Sequence, residues 1–100
     1  MSPYARRADS TQKKLKQCFE ALGCSVMLHH AAEEGEPDAI VGCGRGNHLV
    51  DFKNPDSRHG KAGLSPGQLA FNARWRGERI WPAATTAEVK ELVDLWRSRP

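Results

Sequence analysis

The stretch that decides the fold reads Pro37-Asp38-Ala39-Ile40-Val41, then Gly42-Cys43-Gly44-Arg45-Gly46-Asn47, then His48-Leu49-Val50-Asp51-Phe52-Lys53. Two short apolar runs flank a glycine-rich turn, which is the signal of a β-hairpin. An acid opens the first strand, and an acid and a lysine close the second with one residue between them. Side chains alternate along a strand, so Asp51 and Lys53 share one face and Phe52 takes the other. Asp38 joins them only if its cross-strand partner is odd-numbered. A turn over residues 44–47 pairs Gly44 with Asn47 and therefore Asp38 with Lys53, leaving Asp51 diagonal to Asp38 at about 7–8 Å. Two carboxylates so placed, open to one side, suit a divalent cation with oxygen ligands. A lysine beside them can stabilise charge or orient a water. The same residues also fit a plainer arrangement, with Asp38 capping a turn and Asp51 and Lys53 as exposed edge charges, because the pattern is short.

Working outward, 100 residues make one domain with a core of ordinary size for a small fold. Apolar residues at 39% and charged residues at 27% are those of a soluble globular chain. No apolar run approaches the roughly 18 residues of a membrane span, and the start lacks the apolar region of a secretory signal. The expected location is the cytoplasm. Net charge is +3, from 15 basic and 12 acidic residues, which permits nucleic acid without demanding it. Its distribution is more telling. Acids gather at Glu33, Glu34, Glu36 and Asp38, while bases gather at Arg6, Arg7, Lys13, Lys14 and Lys16, at Arg58 and Lys61, and at Arg74, Arg76 and Arg79. An acidic focus among basic stretches suits a metal site that must hold a polyanion. Cys18, Cys24 and Cys43 are odd in number and lack paired spacing. They indicate neither a disulfide framework nor a zinc knuckle, and read as small apolar residues in a reducing compartment.

Taken in order, residues 1–8 read as a basic arm preceding a domain over 9–100. Asp9 or Ser10 is expected to start a helix whose buried stripe is Leu15, Cys18, Phe19 and Leu22, with Gly23 as the stop. Its lysines fit either a solvated face or contacts with a DNA backbone. Residues 24–28 read as a strand, and His29 to Glu36 as a polar loop whose two histidines are either surface groups or neighbours of the site. Val41, Val50 and Phe52 point to one face of the hairpin, and Ile40 and Leu49 to the other, so helices should cover both faces of the sheet. Residues 54–63 form a loop in which Arg58, His59 and Lys61 are candidates for phosphate contact. Ser65, Pro66 and Gln68 make a capping box that opens a helix, and Gln68 is either only the cap or also a side chain of the site. Residues 79–83 read as a short strand that Pro82 confines to an edge. Thr85, with Glu88 three residues on, opens a last helix with Val89, Leu92, Val93 and Trp96 as its stripe. The order is αβββαβα around a mixed central sheet of about four strands.

That order, with Pro37-Asp38, then Asp51-x-Lys53, then a capped helix carrying Gln68, resembles the PD-(D/E)xK nuclease superfamily and its restriction-endonuclease-like core. Within it the chain is most similar to the small VRR-NUC-type nucleases of phages and of bacterial and eukaryotic repair proteins. The resemblance covers nearly the whole chain. Its more specific parts are the Gly-rich turn between the motif strands and Leu64-Ser65-Pro66-Gly67-Gln68 before a helix that ends near Trp75-Arg76-Gly77. It implies that Asp38 and Asp51 ligate Mg²⁺ or Mn²⁺ with the Phe52 carbonyl as a third ligand. Lys53 would then position the attacking water, and Gln68 would lie near metal or substrate. Many relatives place a further polar residue on the first helix, for which Asp9, Gln12 or Glu20 are candidates and Gln12 is preferred. Asp51 departs from the commoner glutamate, and Glu36 replaces the expected small residue, as an added ligand or as a charge that repels substrate.

The function expected is a metal-dependent DNA endonuclease that hydrolyses phosphodiester bonds, with Arg6, Arg7, Lys13, Arg58 and Lys61 holding the DNA. A binding module that kept the fold and lost catalysis is the alternative. A small-molecule metal hydrolase is a weaker one, since no apolar pocket or substrate motif supports it. No organic cofactor and no membrane are implied. A homodimer is expected, because one small chain offers one site and two-fold pairing is the commonest assembly.

Overall fold

The computed structural model describes residues 3–30, 33–56 and 63–99, with side chains of the first helix from Ser10 onward. The elements are α1 (Pro3–Ala21), β1 (Ser25–Leu28), β2 (Ala39–Cys43), β3 (Gly46–Phe52), α2 (Pro66–Arg74), β4 (Trp81–Ala83) and α3 (Thr86–Ser98). The four strands form one mixed sheet in the order β1-β2-β3-β4. The first three are antiparallel neighbours, and β4 runs parallel to β3. A parallel return needs a crossover, and α2 lies within it. This is the αβββαβα order with a sheet of four strands.

The first helix starts earlier than expected. Its backbone is helical from Pro3, so neither Asp9 nor Ser10 is its cap. Proline fits a first helical turn, and Ala5, Arg6, Arg7 and Ala8 favour its continuation. Gly23 ends it with φ of +89°, a conformation that glycine adopts without steric penalty. The later helix starts follow the local signals. Ser65 accepts from the Gln68 N–H while the Gln68 side chain accepts from the Ser65 N–H, and Thr85 accepts from the Glu88 N–H.

One face of the sheet carries Val41, Cys43 and Val50, against which Leu15 and Phe19 of α1 and Val89, Val93 and Trp96 of α3 close the main core. The other face carries Ile40, Leu49 and Asp51. There α2 supplies the buried Phe71, and Ile80 is buried just before β4. Pro82 sits in β4, an edge strand, where a missing donor is tolerated. Among the described residues, no helix is long and apolar enough to cross a membrane.

The hairpin corrects the expected register. Its pairs are Cys43 with Gly46 and Gly42 with Asn47, so the loop is Gly44-Arg45 rather than Arg45-Gly46. A loop one residue later would need a hairpin turn with positive φ, which Arg45 resists. The observed loop places positive φ on Gly44 alone, at +64°, the pattern of a type II′ turn. A Cβ on Gly44 would also come within 3.0 Å of the Trp96 carbonyl oxygen. Moving the loop by one residue moves the register by two, so the parity of the side chains survives.

Candidate metal and phosphate site

Pairing of Ala39 with Val50 ends the β2–β3 ladder. One step further brings Asp38 opposite Asp51, not opposite Lys53. The Asp38 N–H still donates to the Val50 carbonyl at 3.0 Å. The two carboxylates are therefore direct cross-strand neighbours, closer than the diagonal spacing expected from sequence. Asp51 is buried, with 4% of its surface exposed. Asp38 accepts a hydrogen bond at Oδ2 from the Phe52 N–H at 2.8 Å. A residue's N–H and C=O leave an extended strand on one edge, so the Phe52 carbonyl lies on the Asp38 side.

Lys53 continues the two-residue period. Its Nζ lies 2.8 Å from Asp51 Oδ2 and donates to Gln68 Oε1 at 2.8 Å. Its backbone N–H donates to the Ala83 carbonyl at 2.8 Å, fixing the strand end against β4. Gln68 is both cap and site residue: the same Oε1 accepts from the Ser65 N–H at 3.0 Å. The capping box thus orients the amide that holds the lysine. Asp38, Asp51, Lys53 and Gln68 form one connected cluster.

Electrostatically the cluster is unbalanced. Burial pushes the Asp38 carboxyl up, and the Asp51 charge and a hydrogen bond with Asp51 push it further. The Phe52 N–H and Lys53 pull it down without offsetting this, and the result is about 7 against an ordinary 3.8. Beside a second carboxyl, Asp38 therefore keeps its proton up to about neutrality. A cation binding here would displace that proton and relieve the repulsion. Two carboxylates and a carbonyl are hard oxygen donors, which suit an ion that keeps several waters. Among the described residues, no group of three or more His, Cys, Asp or Glu side chains could hold a metal, and the oxygen donors at this place are these two acids and the strand backbone.

The remaining candidates lie around this cluster or outside the described residues. The Glu36 carboxylate is 2.9 Å from His29 Nε2, which gives that expected loop histidine a partner. Gln12 lines a groove with Lys13, Lys16 and Leu28, and no hydrogen bond joins it to the carboxylates among the described residues. Lys13 is exposed on α1. Arg58, His59 and Lys61 lie outside the described residues, as do the side chains of Arg6, Arg7 and Asp9. Beside the carboxylates, Pro37, Ile40, Leu49, Phe71 and Trp75 line an apolar hollow of about 250 Å³, a feature that the sequence reading did not find.

No protein-family model matches the chain, and no curated protein matches it. A solved structure described as a VRR_NUC domain does: it aligns with a TM-score of 0.63 at 28% identity, over 88% of this chain and 95% of that one. In fold and in sequence this chain is similar to a VRR-NUC domain. The VRR-NUC fold explains why the acidic hairpin end and the capped α2 converge, since the crossover from β3 to β4 passes over the strand ends that carry Asp51 and Lys53.

A second, partly buried acid was missed by the sequence reading. His48, on the core face of β3, places Nδ1 2.8 Å from Glu78 Oε1 and Nε2 3.1 Å from the Cys43 carbonyl. Both partners are acceptors facing the two ring nitrogens. Its ring stacks on Trp96 at 3.9 Å. Glu78 also accepts from Trp81 Nε1 and pairs with Arg99. Burial works to raise the Glu78 carboxyl, but the bonds from His48, Trp81 and Arg99, with the Arg99 charge, outweigh it and hold it at about 2.

Proposed function

We propose that this VRR-NUC-like domain is a DNA endonuclease that hydrolyses phosphodiester bonds with a divalent cation, Mg²⁺ or Mn²⁺. The observation that carries the reading is Asp38 facing Asp51 while Lys53 bridges Asp51 and Gln68. Asp38, Asp51 and the Phe52 carbonyl would hold the ion. When bound, it would neutralise charge building on the phosphate and lower the pKa of a bound water. Lys53 uses two donors on Asp51 and Gln68, and an ammonium has three, so one remains for a phosphate oxygen or the attacking water. Gln68 fixes the direction of that ammonium. Asp51 holds the lysine close. The basic groups of α1 and of residues 57–62 would hold the DNA backbone by charge, favouring recognition of DNA shape over base sequence.

A homodimer belongs to the same proposal. One chain offers one site, and cutting both strands of a duplex or branched DNA takes two. Trp96 is buried and Trp81 packs against the core, whereas Trp75, Met27 and Leu69 are about half exposed or more and supply apolar surface for pairing. Sedimentation at micromolar concentration should show the dimer, and a lone monomer would overturn that part.

The activity is tested by nicking of supercoiled plasmid and of branched DNA in Mg²⁺ and in chelator. Nicking that stops with chelator and with Asp51→Asn is the expected result. DNA binding without nicking in any divalent ion would instead identify a module that kept the fold and lost the chemistry.

A further inference from the structure

The cysteines carry an inference that their sequence spacing hid. In the β1–β2 ladder Ser25 pairs with Gly42, so Cys24 stands opposite Cys43 one step further on. The type of that position follows from the other end of the ladder. His29 N–H donates to the Asp38 carbonyl at 2.7 Å, which gives 29 and 38 the hydrogen-bonded position of the ladder, although the Asp38 N–H itself turns to Val50. Pair types alternate along an antiparallel ladder, so 27 with 40 and 25 with 42 are of the same type, and 24 with 43 is not. The Cys24 N–H confirms this, since it turns away to the Phe19 carbonyl at 3.0 Å. Non-hydrogen-bonded partners stand about 4.5 Å apart at Cα, within the 4.4–6.8 Å range that a disulfide spans. Both side chains are buried, at 7% and 6% exposure.

We propose that Cys24 and Cys43 form a cross-strand disulfide when the chain meets a disulfide-class oxidant such as oxidised glutathione, and that Cys18 takes no part. One thiolate attacks the glutathione disulfide, releasing one glutathione thiol and leaving a mixed disulfide. The second thiolate displaces the second glutathione. Two S–H bonds are lost, one S–S bond forms, and the two electrons leave on two glutathione thiols. Burial, with the neighbouring Cys43 thiol, pushes Cys24 up to about 12. The folded pair is therefore guarded against casual oxidation, and closure runs during folding or when the edge strand β1 opens. The bridge would close residues 24–43 into a loop that contains Asp38 while sitting at the far end of β2 from the carboxylates. It would thus staple the strand that supports the site without touching the site.

The test is to refold the full chain in a glutathione redox buffer and in reductant, then map the thiols by mass spectrometry. The expected oxidised product is a monomeric chain lighter by two hydrogen atoms, with one free thiol and a peptide linking Cys24 to Cys43. Its melting midpoint should rise by roughly 10–20 °C, as for closure of a loop of this length. Cys18→Ser should leave this product unchanged, and Cys43→Ser should abolish it. Linkage through Cys18, or three free thiols in a buffer that oxidises the unfolded chain, would overturn the proposal. Because the wild-type map alone decides between pairings, the test survives if Cys43→Ser fails to fold.

Discussion

Asp51 and Glu78 are both shielded acids on either side of one sheet, and the protein treats them in opposite ways. Glu78 is surrounded by partners: the His48 ring, the Trp81 indole and Arg99. Its carboxyl is held at about 2. Asp51 faces another acid and shares one lysine with it, and its neighbour Asp38 is driven up to about 7. One cluster is complete within the chain, and the other becomes complete only with something positive added. Completeness fits a structural ion pair, whereas retained repulsion is what the proposed metal site rests on.

Breaking each cluster should therefore have opposite consequences. Asp51→Asn keeps the shape and removes a charge. Cleavage should fall by more than about 1,000-fold, as for loss of a metal ligand or a principal charge-stabilising group, while the metal-free protein melts at the wild-type temperature or higher. Glu78→Gln should do the reverse. It removes the carboxylate that gathers His48, Trp81 and Arg99 and should cost about 2 kcal/mol after discounting for partial exposure, seen as a drop of roughly 10 °C in melting, with nicking per folded molecule little changed. Gln68→Ala sits between them. Loss of the lysine's orientation should lower nicking by about 10–100-fold, and loss of the cap should cost about 1 kcal/mol.

Titration sharpens the contrast. Between 3.8 and about 7 the folded Asp38 holds a proton that the unfolded chain has released, so metal-free stability should fall as pH rises through that window. Asp38→Asn should flatten that slope in denaturant melts. Between 4.5 and about 2 the unfolded Glu78 takes up a proton before the folded one, so its contribution, complete above 4.5, should be lost as pH falls. The smallest effect belongs to Arg99→Ala, an exposed partner of Glu78, at about 0.5 kcal/mol and weaker still in high salt.

The two clusters also differ in how far they could be read from sequence. Asp51 and Lys53 are two residues apart on one strand, and Ser65 and Gln68 three apart at a helix start, so local period and capping placed them. What failed was the turn, where Gly44-Arg45 and Arg45-Gly46 compete and only the φ that Arg45 refuses decides. Parity protected the site from that slip. The His48 cluster joins positions 30 and 21 residues apart along the chain through no repeating pattern, and nothing local announces it. The Cys24–Cys43 contact was hidden in the same way, since it depends on the β1–β2 register rather than on spacing. The first helix was begun too late because a basic run was taken for an arm, although its residues favour helix.

The most direct measurement is the melting temperature of the wild type and of Asp51→Asn across a Mn²⁺ or Mg²⁺ titration. An ion that binds only the folded wild type should stabilise it by roughly 2.7 kcal/mol at a hundredfold excess over its Kd, a rise of roughly 10–20 °C. The Asp51→Asn protein should shift by a small fraction of that. Equal shifts in the two proteins, or none in the wild type, would show that the facing carboxylates are not a metal site.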